Sequence, residues 1–543
     1  MGDTDVLVVG AGPVGLTAAA ELRRHGVDCR IVDKLAEPQP YAKAVGVQPR
    51  TLEIWDTMGL AREALDAALP MRGQLIFVDG KPGPRIEMEL PADIPYGFAA
   101  IPQYTTERLL ADHLARFGTR VERGTELIDL GQDADGVRAV LRTPDGREDV
   151  QARYLIGCDG AHSPVRRAMG IRFDGDAFPE QYMLGDVEVD WDLPVGFGVR
   201  SVHHDADGGA DDILVCIPLP GLNRYRMSML VPPELEAVAS VHGTNGEVAH
   251  GLETSRTPKL RHIQAVLDRL SPTPTTASAL RWSSVFRISH RLVDRYREGR
   301  VFLAGDAAHI HPPTGAQGMN TGVQDAYNLA WKLALVVGGA ADEGLLDSYQ
   351  AERHPVGEEV VGRTVRHARA GITADPADLT TVLLREAQLL VGYRESPLVD
   401  GADAAAADTP APGDRAPDCG GLLRDLARYP LRLFDLLRGP HHTLLLHAGP
   451  DTPADLLHRC ADAAASAAHG RLDSYALLTP DARAEGIRLP CVQDGEDGFR
   501  TAYRSRPGEA VLVRPDGYLG GRFRPADPDA LVTHLRRTFT PVS

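Results

Sequence analysis

The segment at residues 305–322, GDAAHIHPPTGAQGMNTG, combines an acidic side chain, Asp306, with a backbone rich in glycine and proline. The apolar residues 301–304 before it predict a buried strand, and apolar residues at helical spacing predict a helix that begins near Gly322 and ends at Val337. A helix start offers free N–H groups and favours negative charge. The segment therefore predicts a site for an anionic cofactor.

A glycine fingerprint close to the N-terminus, VLVVGAGPVG at residues 6–15, predicts a second part of such a site. Gly10 permits a tight turn, Gly12 lets the backbone approach a pyrophosphate, and Gly15 lets a helix pack closely on its strand. The fingerprint follows a run that is apolar throughout, as expected of a buried parallel strand. It predicts a dinucleotide-binding turn.

The residues after the fingerprint complete this pattern. Residues 16–25 have helical spacing, and Gly26 predicts the end of the helix. Residues 29–32 predict the next strand, which leads into Asp33. An acidic residue about 20 positions after the glycines is placed to hold a ribose hydroxyl. Both NAD and FAD contain such a ribose, so the pattern alone leaves the two open.

A third strand-to-turn element, YLIGCDGAHSPVR at residues 154–166, also ends in an acidic residue, Asp159. Together with the fingerprint and Gly305-Asp306, it resembles the three signatures of the single-component FAD-dependent aromatic hydroxylases, the p-hydroxybenzoate hydroxylase-like flavoprotein monooxygenases. The resemblance extends from Asp5 to about Arg353 and includes QYTTER at 103–108 and QDAYNLAWKL at 324–333. It is strongest to members that act on phenols and polyketide-type aromatics.

This resemblance implies an α/β fold with three parts. A Rossmann-like FAD-binding domain would comprise residues 1–170 and 285–400, and an antiparallel substrate sheet would comprise 171–284, joined by strands from 72–101. A low-complexity linker at 402–412 would lead to a thioredoxin-like domain at 413–543. Because the chain has no Cys-x-x-Cys pair, that domain is expected to be redox-silent. Its expected role is that of a structural or dimerisation module, and His441 and His442 are expected on its surface.

The resemblance also implies the reaction. The enzyme would consume NADPH or NADH and O2, form a C4a-hydroperoxyflavin on FAD, and hydroxylate an aromatic small molecule. The chain has no second glycine fingerprint after a strand, so the reductant is expected to bind transiently beside the flavin. Two alternatives remain open: Baeyer-Villiger oxygenation on the same scaffold, and a non-catalytic binding protein such as a GDP-dissociation inhibitor. The latter lacks an intact Gly-Asp flavin loop, which this chain has.

Cofactor contacts are expected in five places that the resemblance matches. The pyrophosphate turn comprises Gly10, Gly12, Pro13, Val14 and Gly15, and the ribose acid and its neighbour are Asp33 and Lys34. The flavin-side residues are Lys43, Gln103 and Asp306, and the acid near the nicotinamide path is Asp159, followed by Gly160. The loop that faces the ring system comprises Pro313, Gly315, Gly318, Met319 and Asn320. Lys43 stands where many relatives have arginine, and keeps the charge without the planar fork. Ala316 replaces a glycine of the usual loop.

The catalytic residues on the substrate side are not identified by the sequence. Tyr225, Arg226, His203 and His204 are candidates because they fall on the predicted substrate sheet, and Pro313 because it lies in the flavin loop. For a polar residue in a sheet, a structural hydrogen bond is the commoner role.

The composition disfavours some classes of binding partner. A net charge of −17 disfavours nucleic acid and anionic membranes. The six cysteines are scattered, which suits a reduced, cytoplasmic protein without disulfides or a zinc site. His309 and His311 would need carboxylate or cysteine ligands beside them to hold a metal, and the resemblance already assigns this loop to the flavin, so no metal is expected there.

Overall fold

The structure is a computed structural model, and it describes residues 2–40, 43–235, 248, 250–253, 257–370, 377–399, 409–427 and 429–541. Most of the predicted linker at 402–412 lies outside the described residues. Within the described part, no helix is long and apolar enough to cross a membrane.

The first 170 residues alternate between strands and helices, as their sequence pattern predicts. The elements are β1 (Gly2–Val9), α1 (Pro13–Arg24), β2 (Cys29–Asp33), β3 (Gly46–Val47), α2 (Pro49–Met58), α3 (Ala61–Ala67), β4 (Leu69–Pro70), β5 (Gly73–Val78), β6 (Lys81–Glu87), β7 (Ala99–Ala100), α4 (Gln103–Ala115), β8 (Glu122–Arg123), β9 (Glu126–Gln132), β10 (Val137–Thr143), β11 (Gly146–Gly157) and α5 (Pro164–Ala168).

The middle of the chain forms long strands and then returns to helices. Its elements are β12 (Phe173–Val189), β13 (Phe197–His204), β14 (Ala210–Pro218), β15 (Arg224–Leu230), β16 (Gly251–Glu253), α6 (Leu260–Leu270), β17 (Ala277–Val293), β18 (Arg297–Glu298), β19 (Val301–Leu303), β20 (His309–Ile310), α7 (Gln317–Val337), α8 (Asp347–Ala370) and α9 (Leu379–Glu386).

The C-terminal part is a smaller α/β unit. It contains β21 (Leu422–Leu423), α10 (Leu433–Leu436), β22 (His442–Ala448), α11 (Ala454–Ala467), β23 (Leu472–Leu478), β24 (Cys491–Asp494), α12 (Gly498–Tyr503), β25 (Ala510–Val513), β26 (Leu519–Phe523) and α13 (Pro528–Leu535).

An eight-stranded sheet positions the cofactor motifs. Its order is β18-β19-β11-β1-β2-β8, and β19, β11, β1, β2 and β8 run parallel. Because the carboxyl ends of parallel strands share one edge, the residues that end or follow β1, β2, β11 and β19 meet there. Those residues are Gly10, Asp33, Asp159 and Asp306. Four motifs spread over 300 residues of sequence are thus brought to a single edge.

A nine-stranded sheet forms the second layer, with the order β16-β17-β12-β15-β14-β13-β5-β6 and with β20 paired to β17. β5 belongs to it, as predicted, because it runs parallel to β13. The prediction for residues 97–101 was wrong: β7 pairs with β3 and β4 in a separate three-stranded sheet. The predicted return to the first domain at residue 285 was also too early, because β17 stays paired with β12 up to Val293.

Alternation along the strands divides this sheet into two faces. Tyr225, Met227 and Met229 of β15 pack with Ile263 of α6 in one apolar core. The residues between them point the other way. That second face includes Arg226, and it lies against the first domain.

The C-terminal sheet is mixed, with the order β21-β24-β23-β22-β25-β26. β22, β23 and β24 run parallel, and β25 and β26 form a hairpin through the turn at Pro515-Asp516-Gly517. All six cysteines are free, including three in this unit. The predicted surface position of His442 was wrong: its side chain is buried between Trp331 and Phe539.

Candidate cofactor and substrate site

The glycine turn after β1 leaves an open cradle at the start of α1. Gly10 has a φ of +100°, and a Cβ there would lie 2.3 Å from the carbonyl oxygen of Cys158. A Cβ on Gly15 would lie 1.9 Å from the carbonyl oxygen of Gly10, whereas one on Gly12 would meet nothing within 4 Å. Gly12 is the N-cap of α1 and gives no side-chain cap. Space and free N–H groups therefore fit a pyrophosphate.

This geometry separates two glycine substitutions. We expect Gly12→Ala to keep the thermal stability of the apoprotein but to weaken FAD binding about tenfold, since its methyl group fills the cradle (about 1.4 kcal/mol). Gly15→Ala should instead destabilise the apoprotein by about 1–3 kcal/mol or more, since its methyl group overlaps Gly10. Thermal melts of the apoproteins and FAD titrations measure the two effects. Wild-type FAD affinity in Gly12→Ala would contradict the assignment.

Asp33 lies beside this turn. Its Oδ2 accepts the N–H of Ala11 at 2.7 Å, and its Oδ1 accepts the N–H of Leu35 at 2.9 Å. Arg123 Nη1 lies 3.8 Å from Oδ2, a neighbour that no sequence pattern indicated. The carboxylate is thus fixed at the end of β2, where a ribose diol would lie. Lys34 is exposed.

Asp306 forms an ion pair with Lys43, with 2.8 Å between Oδ2 and Nζ. Burial raises the pKa of Asp306, but the charges of Lys43 and His250 outweigh it, so that the pKa lies well below its usual range. Lys43 Nζ also lies 6.0 Å from the centre of the Phe286 ring on the nine-stranded sheet. The pair therefore lies between the two sheets, and Asp306 is ionised there.

Asp159 and Gly160 follow β11 at the same edge. Asp159 Oδ2 accepts the N–H of Val165 at 3.1 Å, at the start of α5, and burial raises the pKa of its carboxyl. Arg166 donates to the carbonyl oxygens of Ala161 and Ala307 at 2.7 and 2.9 Å. Arg166 thus joins the Asp159 turn to the Asp306 turn, a link that the sequence analysis missed.

The start of α7 differs from the prediction. The helix begins at Gln317, not near Gly322, because Ala316 takes a left-handed conformation (φ 55°, ψ 40°) as its N-cap. Gly318 and Met319 are half-buried in the first turn, while Pro313 and Gly315 are exposed. The predicted loop is therefore shorter, because its last three residues, Gly318 to Asn320, lie at the start of α7. The backbone N–H groups of a first helical turn have no partner within the helix.

Asn320 anchors this helix to the segment after β3. Its Nδ2 donates to the carbonyl oxygens of Gly46 and Ala316, at 3.0 and 2.7 Å, and its Oδ1 accepts from Gln48 N and Thr51 Oγ1. All the hydrogen-bonding capacity of the amide is used. The structure gives its side chain a positioning role, and a contact of Asn320 with the cofactor stays a prediction.

Gln103, at the start of α4, also makes protein contacts. Its Oε1 accepts the N–H of Ala44 at 3.0 Å, and its Nε2 donates to Glu107 Oε1 at 2.8 Å. Burial raises the pKa of Glu107. Gln103 thereby holds the backbone next to Lys43, and its approach to the flavin stays a prediction.

Asp325, within the 324–333 motif, is a positioning residue that was not assigned from the sequence. Its Oδ2 accepts from Gly305 N at 3.1 Å and from His309 Nε2 at 2.7 Å, and its Oδ1 accepts from Arg353 Nε at 2.7 Å. Burial raises the pKa of Asp325, but the charges of Arg353 and His309 bring it below its usual range. One buried carboxylate thus holds the turn that carries Asp306.

The substrate-side candidates lie on different faces of the nine-stranded sheet. Arg226 is buried, its Nε donates to Asp186 Oδ1 at 2.8 Å, and its guanidinium lies 4.7 Å from the ring centre of Trp282. Tyr225 packs in the core against α6, 5.2 Å from the Trp191 ring, so it is turned away from the first domain. His203 and His204 lie at the outer end of β13, bonded to Asp211 and Asp79. The structure leaves Arg226 as the candidate on the sheet face that is turned toward the first domain, which we call the inner face.

Comparison with known proteins agrees with this geometry. The family described as "FAD binding domain" matches residues 3–364. The 6-methylpretetramide 4-monooxygenase of Streptomyces rimosus is 35% identical, over 98% of this chain and 93% of the relative. Pentachlorophenol 4-monooxygenase of Sphingobium chlorophenolicum is 31% identical, over 96% and 94%. The crystal structure of aklavinone-11 hydroxylase with FAD and aklavinone superposes with a TM-score of 0.78 at 28% identity and covers all of both chains.

The chain belongs to this FAD-binding family. It is a flavin-dependent aromatic monooxygenase with FAD as its cofactor, as the sequence resemblance predicted. The mixed α/β architecture likewise matches that of FAD-dependent hydroxylases.

Proposed function

We propose that this enzyme uses NADPH or NADH and O2 to hydroxylate an electron-rich aromatic ring of the phenol or polyketide type. The names of its relatives specify 6-methylpretetramide, pentachlorophenol and aklavinone, which supports that substrate class and a role in antibiotic or other secondary metabolism. The observation that carries the proposal is the composition of the inner face of the nine-stranded sheet. Aromatic side chains surround the buried cation Arg226 there, and the face lies across from the Asp306 turn.

The chain's own residues bind, orient and exclude water. Bound FAD supplies the redox chemistry, hydride acceptance and oxygen activation. Asp306, Lys43 and the start of α7 would hold it at the sheet edge, and Phe286 and Trp282 would provide an apolar wall for an aromatic ring. A dry wall of this kind protects a reactive oxygen species from water.

Arg226 is proposed to recognise an oxygen of the substrate. Only its Nε bonds to Asp186, and its buried Nη2 has no hydrogen-bond partner among the described residues. A buried donor without a partner costs about 1–3 kcal/mol, which a phenolic or carbonyl oxygen would offset. Stacking on Trp282 fixes the plane of the guanidinium and hence the direction of that donor.

We expect the double variant Arg226→Met/Asp186→Asn, which removes both charges together, to lower kcat/KM by about 10- to 100-fold, since a hydrogen bond to a charged group contributes about 1.5–3 kcal/mol. FAD binding should be unchanged. Tyr225→Phe, one residue away but on the opposite face, is the matched control and should keep wild-type kcat/KM. Equal kcat/KM in the double variant and wild type would remove Arg226 from the site.

The function itself is tested with the purified enzyme. It should be yellow, and NAD(P)H oxidation should be slow alone and rise severalfold with a substrate from a panel of phenols and polyketide aromatics. We expect this gating because the reductant lacks its own domain and must reach the flavin from outside, while oxygen transfer needs a closed site. The glycine- and proline-rich segment 312–318 is the proposed place of the motion.

Product analysis distinguishes the outcomes. One added oxygen on a ring carbon, seen by mass spectrometry and NMR, supports hydroxylation, whereas a lactone or ester product would indicate Baeyer-Villiger oxygenation. Flavin that is bound but never reduced by NAD(P)H with any aromatic would refute the enzyme proposed. A dimer contact through the C-terminal unit is a separate proposal, which sedimentation of the wild-type enzyme tests.

A further inference from the structure

A cavity of about 250 Å³ lies between the first domain and the C-terminal unit, far from the flavin site. Its walls come from the end of α1, the second half of α7, the start of β22 with the residues before it, the residue before β23, and the turn between β25 and β26. We call it the interdomain pocket, lined by Arg24, His25, Trp331, His441, His442 and Arg471 together with four apolar or glycine residues. The 12 residues of α1 separate it from Gly12 by about 18 Å.

The lining consists of basic residue types. Two arginines and three histidines line the cavity, and no acidic side chain is among the described residues that line it. Outside the lining, His441 Nδ1 lies 3.3 Å from Asp473 Oδ2 and His25 Nε2 lies 3.9 Å from Glu21 Oε2, and burial lowers the pKa of His442 to about 3, so that its ring is neutral. Arg24 is neutralised by Glu21, to which its Nη2 donates at 2.7 Å. Arg471 has no carboxylate partner among the described residues, and its Nη2 lies beside Gly338 at the end of α7. The site therefore carries at least one uncompensated guanidinium.

His442 provides a second, independent observation. Its side chain is 2% exposed and lies between Trp331 and Phe539, with ring centres 5.4 and 5.1 Å away. Within the described residues, neither of its ring nitrogens has a hydrogen-bond partner. A ligand that accepts hydrogen bonds inside the pocket would supply that partner.

The carbonyl ends of α1 and α7 also lie near the pocket and carry partial negative charge. They offer one competing explanation of Arg471, as a cation at a helix end. They do not account for an imidazole that lines the pocket without a protein hydrogen-bond partner, nor for a cavity with room for about eight waters at about 30 Å³ each. An oxyanion uses both the guanidinium fork and the imidazole donors.

We propose that the interdomain pocket binds a small phosphate-bearing anion, of the size of inorganic pyrophosphate. Arg24 and His25 belong to the first domain, and His441, His442 and Arg471 belong to the C-terminal unit. The anion would therefore link the two parts of the chain. It would do so without touching the pyrophosphate cradle at the other end of α1.

The test uses FAD-saturated, full-length enzyme, so that the cofactor's own pyrophosphate site is filled. Inorganic pyrophosphate should raise the melting temperature above that in sodium chloride of equal ionic strength, and calorimetry should give a saturable binding heat. Arg471→Gln should weaken this binding at least tenfold. Arg459→Gln, an exposed arginine on α11, is the matched control and should leave it unchanged.

Two results would overturn the proposal. One is the lack of any pyrophosphate effect beyond that of sodium chloride on the wild-type enzyme. The other is binding that Arg471→Gln and a second variant, Arg24→Gln, both leave at wild-type strength. Circular dichroism and flavin absorbance of each variant establish that the fold and FAD content are retained.

Discussion

Replacing Asp306 with alanine is expected to raise the dissociation constant for FAD about 100-fold, so that the enzyme purifies almost colourless. Asp306 is an ionised acceptor at the edge where four strand ends converge, and Lys43 and His250 keep its pKa low. Hydrogen bonds to a charged group contribute up to about 3 kcal/mol, which corresponds to this change. Flavin fluorescence quenching, titrated into the apoprotein, measures it.

Asp159→Ala is the matched comparison. Asp159 lies on the neighbouring strand end, and its observed hydrogen bond is to the N–H of Val165 at the start of α5. Its loss should therefore weaken FAD binding less than the loss of Asp306 does. A larger loss of FAD in Asp159→Ala than in Asp306→Ala, with both proteins folded by circular dichroism, would show that the roles are reversed.

The second large effect concerns a buried charge network between the first domain and the C-terminal unit. Glu352 on α8 accepts from Lys332 Nζ at 2.7 Å and from both Nη atoms of Arg514, at 2.7 and 2.9 Å. Arg514 also pairs with Asp516, and all four side chains are almost completely buried. Burial lowers the pKa of Lys332 to about 8, with Glu352 opposing that shift.

We expect Glu352→Ala to lower the free energy of unfolding by about 3–5 kcal/mol, because two buried cations lose a shared carboxylate. Glu352→Gln keeps the size and should lower it less. Glu358→Gln, on the exposed side of the same helix, is the control and should change it by less than about 0.5 kcal/mol. Urea unfolding followed by fluorescence measures all three, and a Glu352→Ala protein as stable as wild type would refute the prediction.

This network also determines how easily the C-terminal unit could be separated from the first domain. The composition of residues 402–412 predicted a linker, and nothing in the sequence pattern showed what lies across from Arg514. In the structure, one continuous apolar core contains Trp331 of α7 and Leu444 of β22. Removal of the unit would expose this core and leave Glu352 and Lys332 without Arg514.

Local sequence determined the motifs. Three motifs were predicted correctly: the apolar strand before Gly10, the acidic residue that ends β2, and the Asp306 turn. Each of them depends on only a few neighbouring residues, which form a strand, a turn that needs glycine, or a helix start. Their convergence at one edge also follows from sequence, since parallel strands alternate with helices and present their carboxyl ends together.

Tertiary structure decided which side chains face which partner. The sequence could not separate Tyr225 from Arg226, because both fit the strand, and only the packing of α6 shows which face is covered. It placed His442 on the surface, because burial there depends on α7, a hundred residues away. The partners of Asn320 and Asp325 are likewise distant in sequence. Long-range pairing of this kind leaves no local pattern, so only the folded chain reveals it.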